Sequence, residues 1–153
     1  MSLERIDVNC YSFFHKFQTL EMTVSTINAA FAPQLIIKDG IAAIEFYKKA
    51  FGAVELGRWT NDDGSIHVAE LSFLGALFHI REESAAKSNL TPATAGGNTI
   101  ILGVWVDDVH AVFNRAVAAG ATVLSEVEDY DFAYRQGSIK DPFGHHWLIE
   151  KKI

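Results

Sequence analysis

The stretch DGIAAIEFYKKAFGA, from Asp39 to Ala53, decides the fold, because the chain repeats its plan as DDVHAVFNRAVAAGA from Asp107 to Ala121. Each copy opens on an Asp suited to accept a backbone N–H at a helix N-cap. An apolar stripe at helical spacing follows, and a Gly stops the helix. Ile41, Ile44 and Tyr47 form the predicted inward stripe of the first helix, and Val109, Val112 and Ala116 that of the second. The pairs Asp39/Asp107, Ile41/Val109, Ile44/Val112, Ala50/Ala118, Gly52/Gly120 and Ala53/Ala121 all stand 68 residues apart (Asp107 less Asp39). A repeat of one helix is a repeat of a supersecondary unit, so its flanks should repeat as well.

They do. Strand-like runs precede the helices at Gln34–Lys38 and Ile100–Val106. Three more follow the first helix, at Val54–Thr60, Ile66–Phe73 and Ala76–Arg81. Asn61-Asp62-Asp63-Gly64 and Leu74-Gly75 make the turns between them. After the second helix come Thr122–Val127, Ala133–Lys140 and His145–Lys151, the last two joined by the turn Asp141-Pro142-Phe143-Gly144. The plan is strand, helix, three strands, twice.

Length and composition agree with one ordered domain. The chain has 153 residues, 49% of them hydrophobic and 21% charged, which is ordinary globular usage. Thirteen Lys and Arg against nineteen Asp and Glu give a net charge of −6, which argues against a broad nucleic-acid surface. The single Cys10 excludes an intramolecular disulfide and a thiolate zinc cage. No apolar run of about 20 residues is present, and the N-terminus lacks the basic-then-apolar order of a secretory signal. The expected location is the cytoplasm, with no membrane and no nucleic acid as partner.

With Phe46-Tyr47 in the first helix, Phe51-Gly52 at its end and Asp141-Pro142-Phe143-Gly144-His145 before the last strand, the duplicated plan resembles the vicinal oxygen chelate superfamily. That group holds glyoxalase I, extradiol dioxygenases and bleomycin-resistance proteins. The Asp-Pro-Phe-Gly-His run followed by Trp147 looks most like its PhnB-like branch. The resemblance covers about Ala32 to Lys151. It implies an α+β domain over residues 32–153, in which two βαβββ modules form a cupped mixed sheet. Module one is 32–85, the linker 86–98 and module two 99–153. Residues 1–31, with Tyr11, Phe13, Phe14 and Phe17, are an N-terminal extension. The exposed sheet edges of relatives of this type imply a homodimer.

The resemblance also implies a divalent metal held by one ligand from each of four strands. The matching positions here carry Ala32, His79, Ile101 and Leu148, so one ligand of four is present. Ala, Ile and Leu have no donor atoms, and one imidazole with water is not a tight site. No metal and no other cofactor is therefore expected. A displaced set, Gln34, His79, His146 and Glu150, is chemically competent, because residues two apart share a strand face. The polar lining of a wet pocket is the simpler reading of those four. No Gly-rich strand–turn–helix loop supports S-adenosylmethionine chemistry.

The pocket expected between the modules takes Gln34, Trp59, His79, Ile101, Trp105, Tyr134, His146 and Leu148. Such an aromatic-rich lining with few charges suits a flat or amphipathic small molecule. His145 is assigned to the turn, His67 to either pocket or solvent, and His110 to solvent. Arg135 either meets an anionic group or pairs with Asp131 or Glu128. The acidic run Glu126, Glu128, Asp129 and Asp131 reads as a solvated loop. The favoured function is binding or sequestration of a small organic ligand. The alternatives are a metal-dependent lyase, isomerase or dioxygenase using the displaced ligands, and an acid–base enzyme using His79 and His146.

Overall fold

The structure, a computed structural model, describes residues 31–153; Cys10 and the aromatic run from Tyr11 to Phe17 lie outside the described residues. Module one runs β1 (Gln34–Ile37), α1 (Gly40–Phe51), β2 (Val54–Thr60), β3 (Ile66–Phe73) and β4 (Ala76–Glu82). Module two runs β5 (Ile101–Trp105), α3 (Val109–Ala118), β6 (Thr122–Tyr130), β7 (Tyr134–Lys140) and β8 (His146–Lys152). The linker is more ordered than its composition suggests. It holds a 3-10 turn at Ala85–Lys87 and a four-residue helix, α2 (Pro92–Ala95), whose N-cap Thr91 accepts from the Thr94 N–H.

The caps explain where the long helices begin. The Asp39 carboxylate accepts the Ala42 N–H at 2.9 Å, and Gly52, at φ 66°, turns the chain out of α1. In the second copy the cap is Asp108 rather than the expected Asp107: its carboxylate accepts the Ala111 N–H at 3.0 Å. Asp107 belongs to the strand exit, where its carbonyl accepts from the Lys151 ammonium at 3.1 Å. The inward stripe of α1 also differs from the expected one, because Ile41 is 46% exposed. The buried positions are Gly40, Ala43, Ile44, Phe46, Tyr47, Ala50 and Phe51. The first turn of α1 presses so closely on β3 that its inward position is a glycine.

Each module is one four-stranded sheet, ordered β1-β4-β3-β2 and β5-β8-β7-β6. The parallel pairing Gln34↔His79 and Leu35↔Ile80 recurs as Ile101↔His146 and Leu102↔Trp147. Alternation then buries one face of each sheet beneath its helix: Leu35, Ile37, Ala69, Leu71, Phe78 and Ile80 in module one, Leu102, Ile139, Trp147 and Ile149 in module two. The acidic run expected as a loop continues β6 out to Tyr130, and Arg135 pairs with Asp129 rather than with Asp131 or Glu128.

The modules share one core. Tyr47 of α1 lies within 5.8 Å of Trp147 of β8, ring centroid to ring centroid, and donates from its hydroxyl to the Asp141 carboxylate at 2.8 Å. Arg115 of α3 donates to the Ala50 carbonyl at 2.8 Å. The His145 ring meets the Ile36 carbonyl at 3.0 Å, tying the turn before β8 to the free edge of β1.

At the rim of module one, Arg58 donates to both oxygens of Glu55, at 2.6 and 3.0 Å, and Lys48 adds a bond at 2.9 Å. The Arg58 bonds, seconded by Lys48, hold the Glu55 carboxyl down at about 2 against a usual 4.5. A lowered carboxylate stabilises the fold fully above its unfolded value and loses that contribution as pH falls through its folded value. Urea midpoints of the wild type and Glu55→Gln should therefore differ by a constant small amount, below about 1 kcal/mol for so exposed a pair, down to pH 4.5. The gap should close between there and about pH 2.

Candidate functional site

The face of each sheet turned away from its helix is the open one. In module one it carries the cross-strand row Gln34, His79, Glu70 and Gly57, and beside it the pair Trp59 and Val68. In module two it carries Ile101 with His146, Gly103 with Leu148, and Trp105 with Glu150 and Gln136. All eight expected pocket residues fall on these open faces, but not in one cluster. Gln34 and His79 are register partners, as are Ile101 and His146. Trp105 and Tyr134 meet edge to face at 5.4 Å. Trp59 stands apart on β2, its ring folded over Gly57, where an added Cβ would come 3.2 Å from it.

Between the modules lies an apolar cleft of about 460 Å³. Its walls come from the residues just before β1 (Ala32, Pro33), the start of β4 (Leu77, Phe78) and β5 (Ile101, Gly103). Pro33, Ile100 and Leu102 also line a neighbouring cleft, so the beginnings of β1 and β5 converge here. Residues 24–149 match the family model Glyoxalase/Bleomycin resistance protein/Dioxygenase superfamily. The chain belongs to that superfamily. An uncharacterized protein of Mycobacterium tuberculosis, Rv0887c, is 37% identical over 142 residues, covering 91% of this chain and 83% of that protein. The crystal structure of TioX from Micromonospora sp. ML1 superposes with a TM-score of 0.66 at 26% identity, covering 82% of this chain and 100% of that one. The structure of the Arabidopsis thaliana At5g48480 product gives 0.64 at 25% identity over 82% and 100%.

In a glyoxalase-superfamily chain, a metal would need donors where the modules meet. Ala32 and Ile101 are instead walls of the apolar cleft, and Leu148 offers hydrocarbon, so the residues at those positions do not fit a divalent cation. The displaced set is not gathered either. Among the described residues no three His, Cys, Asp or Glu side chains lie together as a metal site would require. His79 instead faces Glu70, Nε2 to Oε1 3.7 Å, while the Glu150 Oε2 accepts from the Gln136 amide at 2.6 Å.

Glu70, which the sequence reading passed over, is the half-buried acid beside His79; its signal is a lone charge on the open-face parity of an apolar strand. Gly103 is the other omission: its missing side chain shapes both the cleft and the space around Glu150, which an added Cβ would approach to 3.4 Å. His145 is buried in its turn. His67 is held by Asn61 at 3.1 Å and by the Arg81 guanidinium, also at 3.1 Å. Arg81 has only hydrogens to give, so His67 accepts at Nε2 and donates from Nδ1 to the Asn61 carbonyl. His110 is exposed on α3.

Proposed function

We propose that this protein is a metal-independent, PhnB-like member of the superfamily that binds a small aromatic or amphipathic organic compound in the cleft between its modules. The observation that carries the reading is the placement of Ala32 and Ile101. Two of the positions where the superfamily's metal-dependent members hold their cation are here walls of an apolar hollow. Apolar, largely preformed hollows with a few polar groups at the margin are what small organic ligands occupy. The reading includes a homodimer in the cytoplasm, with neither nucleic acid nor membrane as partner. Exposed Val54, Leu56 and Trp59, each more than half accessible and all on the outermost strand β2, support a second copy covering that edge. No helix among the described residues is long and apolar enough to cross a membrane.

The neutral fluorescent probe N-phenyl-1-naphthylamine tests the cleft directly. It should bind with one site per chain, and Ile101→Trp, which fills the cleft from an exposed position, should weaken it about tenfold or more. Unchanged affinity would remove the cleft as the site. Titration with Ni²⁺, Zn²⁺ and Mn²⁺ should find no stoichiometric tight binding. Tight binding that His79→Ala abolishes would overturn the metal-independent reading. A second reading, acid–base catalysis, is favoured by the His79–Glu70 pair alone. It requires a bound compound that is turned over, with His79→Gln removing turnover while leaving binding in place.

A further inference from the structure

We propose that module two carries a subsite for a positively charged organic group, an ammonium bearing carbon substituents, built on Glu150, Trp105 and Tyr134. The proposal rests on the small-molecule reading above and names the class of compound it favours. Its centre is an anomaly of burial. Trp105 and Glu150 are register partners on the open face, yet Trp105 is 59% exposed and Glu150 only 8%. Two rings share its face: Trp105, its register partner, and Tyr134 meet edge to face at 5.4 Å. Phe132 and Tyr130 extend the aromatic strip, at 5.7 and 5.1 Å between successive centroids.

Among the described residues, no cation pairs with the Glu150 carboxylate. Its Oε2 accepts one bond from the neutral Gln136 amide, at 2.6 Å, and no Lys, Arg or His nitrogen among the described residues comes within 4.0 Å of either oxygen. The nearby cations are otherwise engaged or held off. Arg135 is bound twice by Asp129, Lys151 donates to the Asp107 carbonyl, and Lys152, on the same face of β8, lies beyond ion-pair distance. Glu128 stands opposite Gln136 on β6 and adds negative potential to the row. Among the described residues this largely buried carboxylate has one neutral donor and no cation, and an arriving group of opposite charge would supply the pairing.

The way in runs along β5. Ile101, Gly103 and Trp105 share the open face, and Gly103 lines the apolar cleft while its missing Cβ leaves space beside the Glu150 Oε1. A compound seated in the cleft can therefore extend a substituent over Gly103 to Oε1. An ammonium there meets a carboxylate ahead of it and aromatic faces around it, and both attract a weakly hydrated cation. A neutral isostere would cover Glu150 further without pairing it, so the subsite discriminates by charge rather than by shape.

The test compares 4-(trimethylammonio)phenol with its neutral isostere 4-tert-butylphenol by calorimetry on the full chain. The cation should bind about tenfold tighter, and Glu150→Gln, which keeps the size and the polar contact with Gln136, should erase the difference. Equal binding of the two compounds to the wild type, or a preference that survives Glu150→Gln, overturns the subsite. Should Glu150→Gln fail to fold, Trp105→Leu, at an exposed side chain, must weaken the cation about fivefold, and unchanged affinity is a refutation. If the phenol binds and the cation binds no better, the cleft reading stands and the subsite falls. If neither binds, both fall.

Discussion

Asp141→Asn should lower the unfolding free energy by about 2–6 kcal/mol, read from urea midpoints at pH 7, the cost of leaving two buried donors unmet at about 1–3 kcal/mol each. The carboxylate is 2% exposed and accepts four hydrogen bonds. Its Oδ1 takes the backbone N–H groups of Phe143 and His145, both at 2.9 Å, and so closes the turn before β8. Its Oδ2 takes the Tyr47 hydroxyl at 2.8 Å and the Trp147 indole at 2.9 Å. An amide supplies one acceptor oxygen, so in either orientation its NH₂ points at two donors. Asp141→Ala leaves all four donors without their acceptor and should cost at least as much.

The Tyr47 bond crosses from one module to the other, which makes it separable from the turn. Tyr47→Phe keeps the ring against Phe51, Phe78 and Trp147 and removes only the hydroxyl, at a cost of about 1–2 kcal/mol. In a double-mutant cycle the Tyr47→Phe penalty should shrink to near zero on the Asp141→Ala background. Additive penalties would show that the hydroxyl does not act through Asp141. Burial, with the Asp141 charge adding to it, also pushes the Tyr47 phenol well above 10. A raised phenol stabilises the fold fully below its unfolded value, and that share is lost as pH climbs past it. Wild-type stability should thus fall above about pH 10 more steeply than that of Tyr47→Phe.

How much of this was readable in advance depends on the range of the interaction. The two-module plan is written in local signals: a capping Asp, a stripe, a closing Gly and turn residues between alternating strands. The Asp107-Asp108 pair shows the limit of such signals. Either residue can cap, and only the length of the β5 exit selects Asp108. The Asp141-Pro142-Phe143-Gly144 turn is visible in sequence. Its role as a clasp is not, because Tyr47 lies 94 residues away.

The site follows the same division. Alternation places Gln34, His79, His146 and Glu150 on open faces, because side-chain parity is a local property. Which rows adjoin is fixed by the register of a parallel crossover, Gln34↔His79, and by antiparallel β3, which brings in Glu70. No spacing in the chain encodes either. Trp59 has the right parity but rides the outermost strand, so it stands away from Trp105 and Tyr134. Glu150 has the parity of a solvated acid, yet it is only 8% exposed, and nothing in its spacing announces that.

Gly40→Ala carries the second-largest expected effect, a loss of about 2–3 kcal/mol, within the usual cost of overpacking a filled core. Substituting Ala for Gly in a helix ordinarily helps, by up to about 1 kcal/mol, and the φ at this position is not one that requires glycine. Space decides the sign instead. A Cβ at Gly40 would sit 2.5 Å from Ile66 Cγ1, 2.7 Å from Ile66 Cβ and 2.9 Å from Glu82 Oε1. Ile66 is 1% exposed and its Cβ is fixed to the backbone of β3, so a rotamer change cannot clear it. Relief requires moving the first turn of α1 outward, which strains the Gly40 N–H bond to Glu82 at 2.9 Å. Ile66→Val tests the cause: it removes only the Cδ1 methyl and keeps both close carbons, Cβ and a Cγ, so the Gly40→Ala loss should persist on its background. Ile66→Ala should cost stability alone and should lessen the Gly40→Ala loss on its background without abolishing it, since the Cγ1 contact is gone while the Cβ, 2.7 Å from the new methyl, remains. A Gly40→Ala protein as stable as the wild type would mean that α1 does not press on β3 as closely as the distances state.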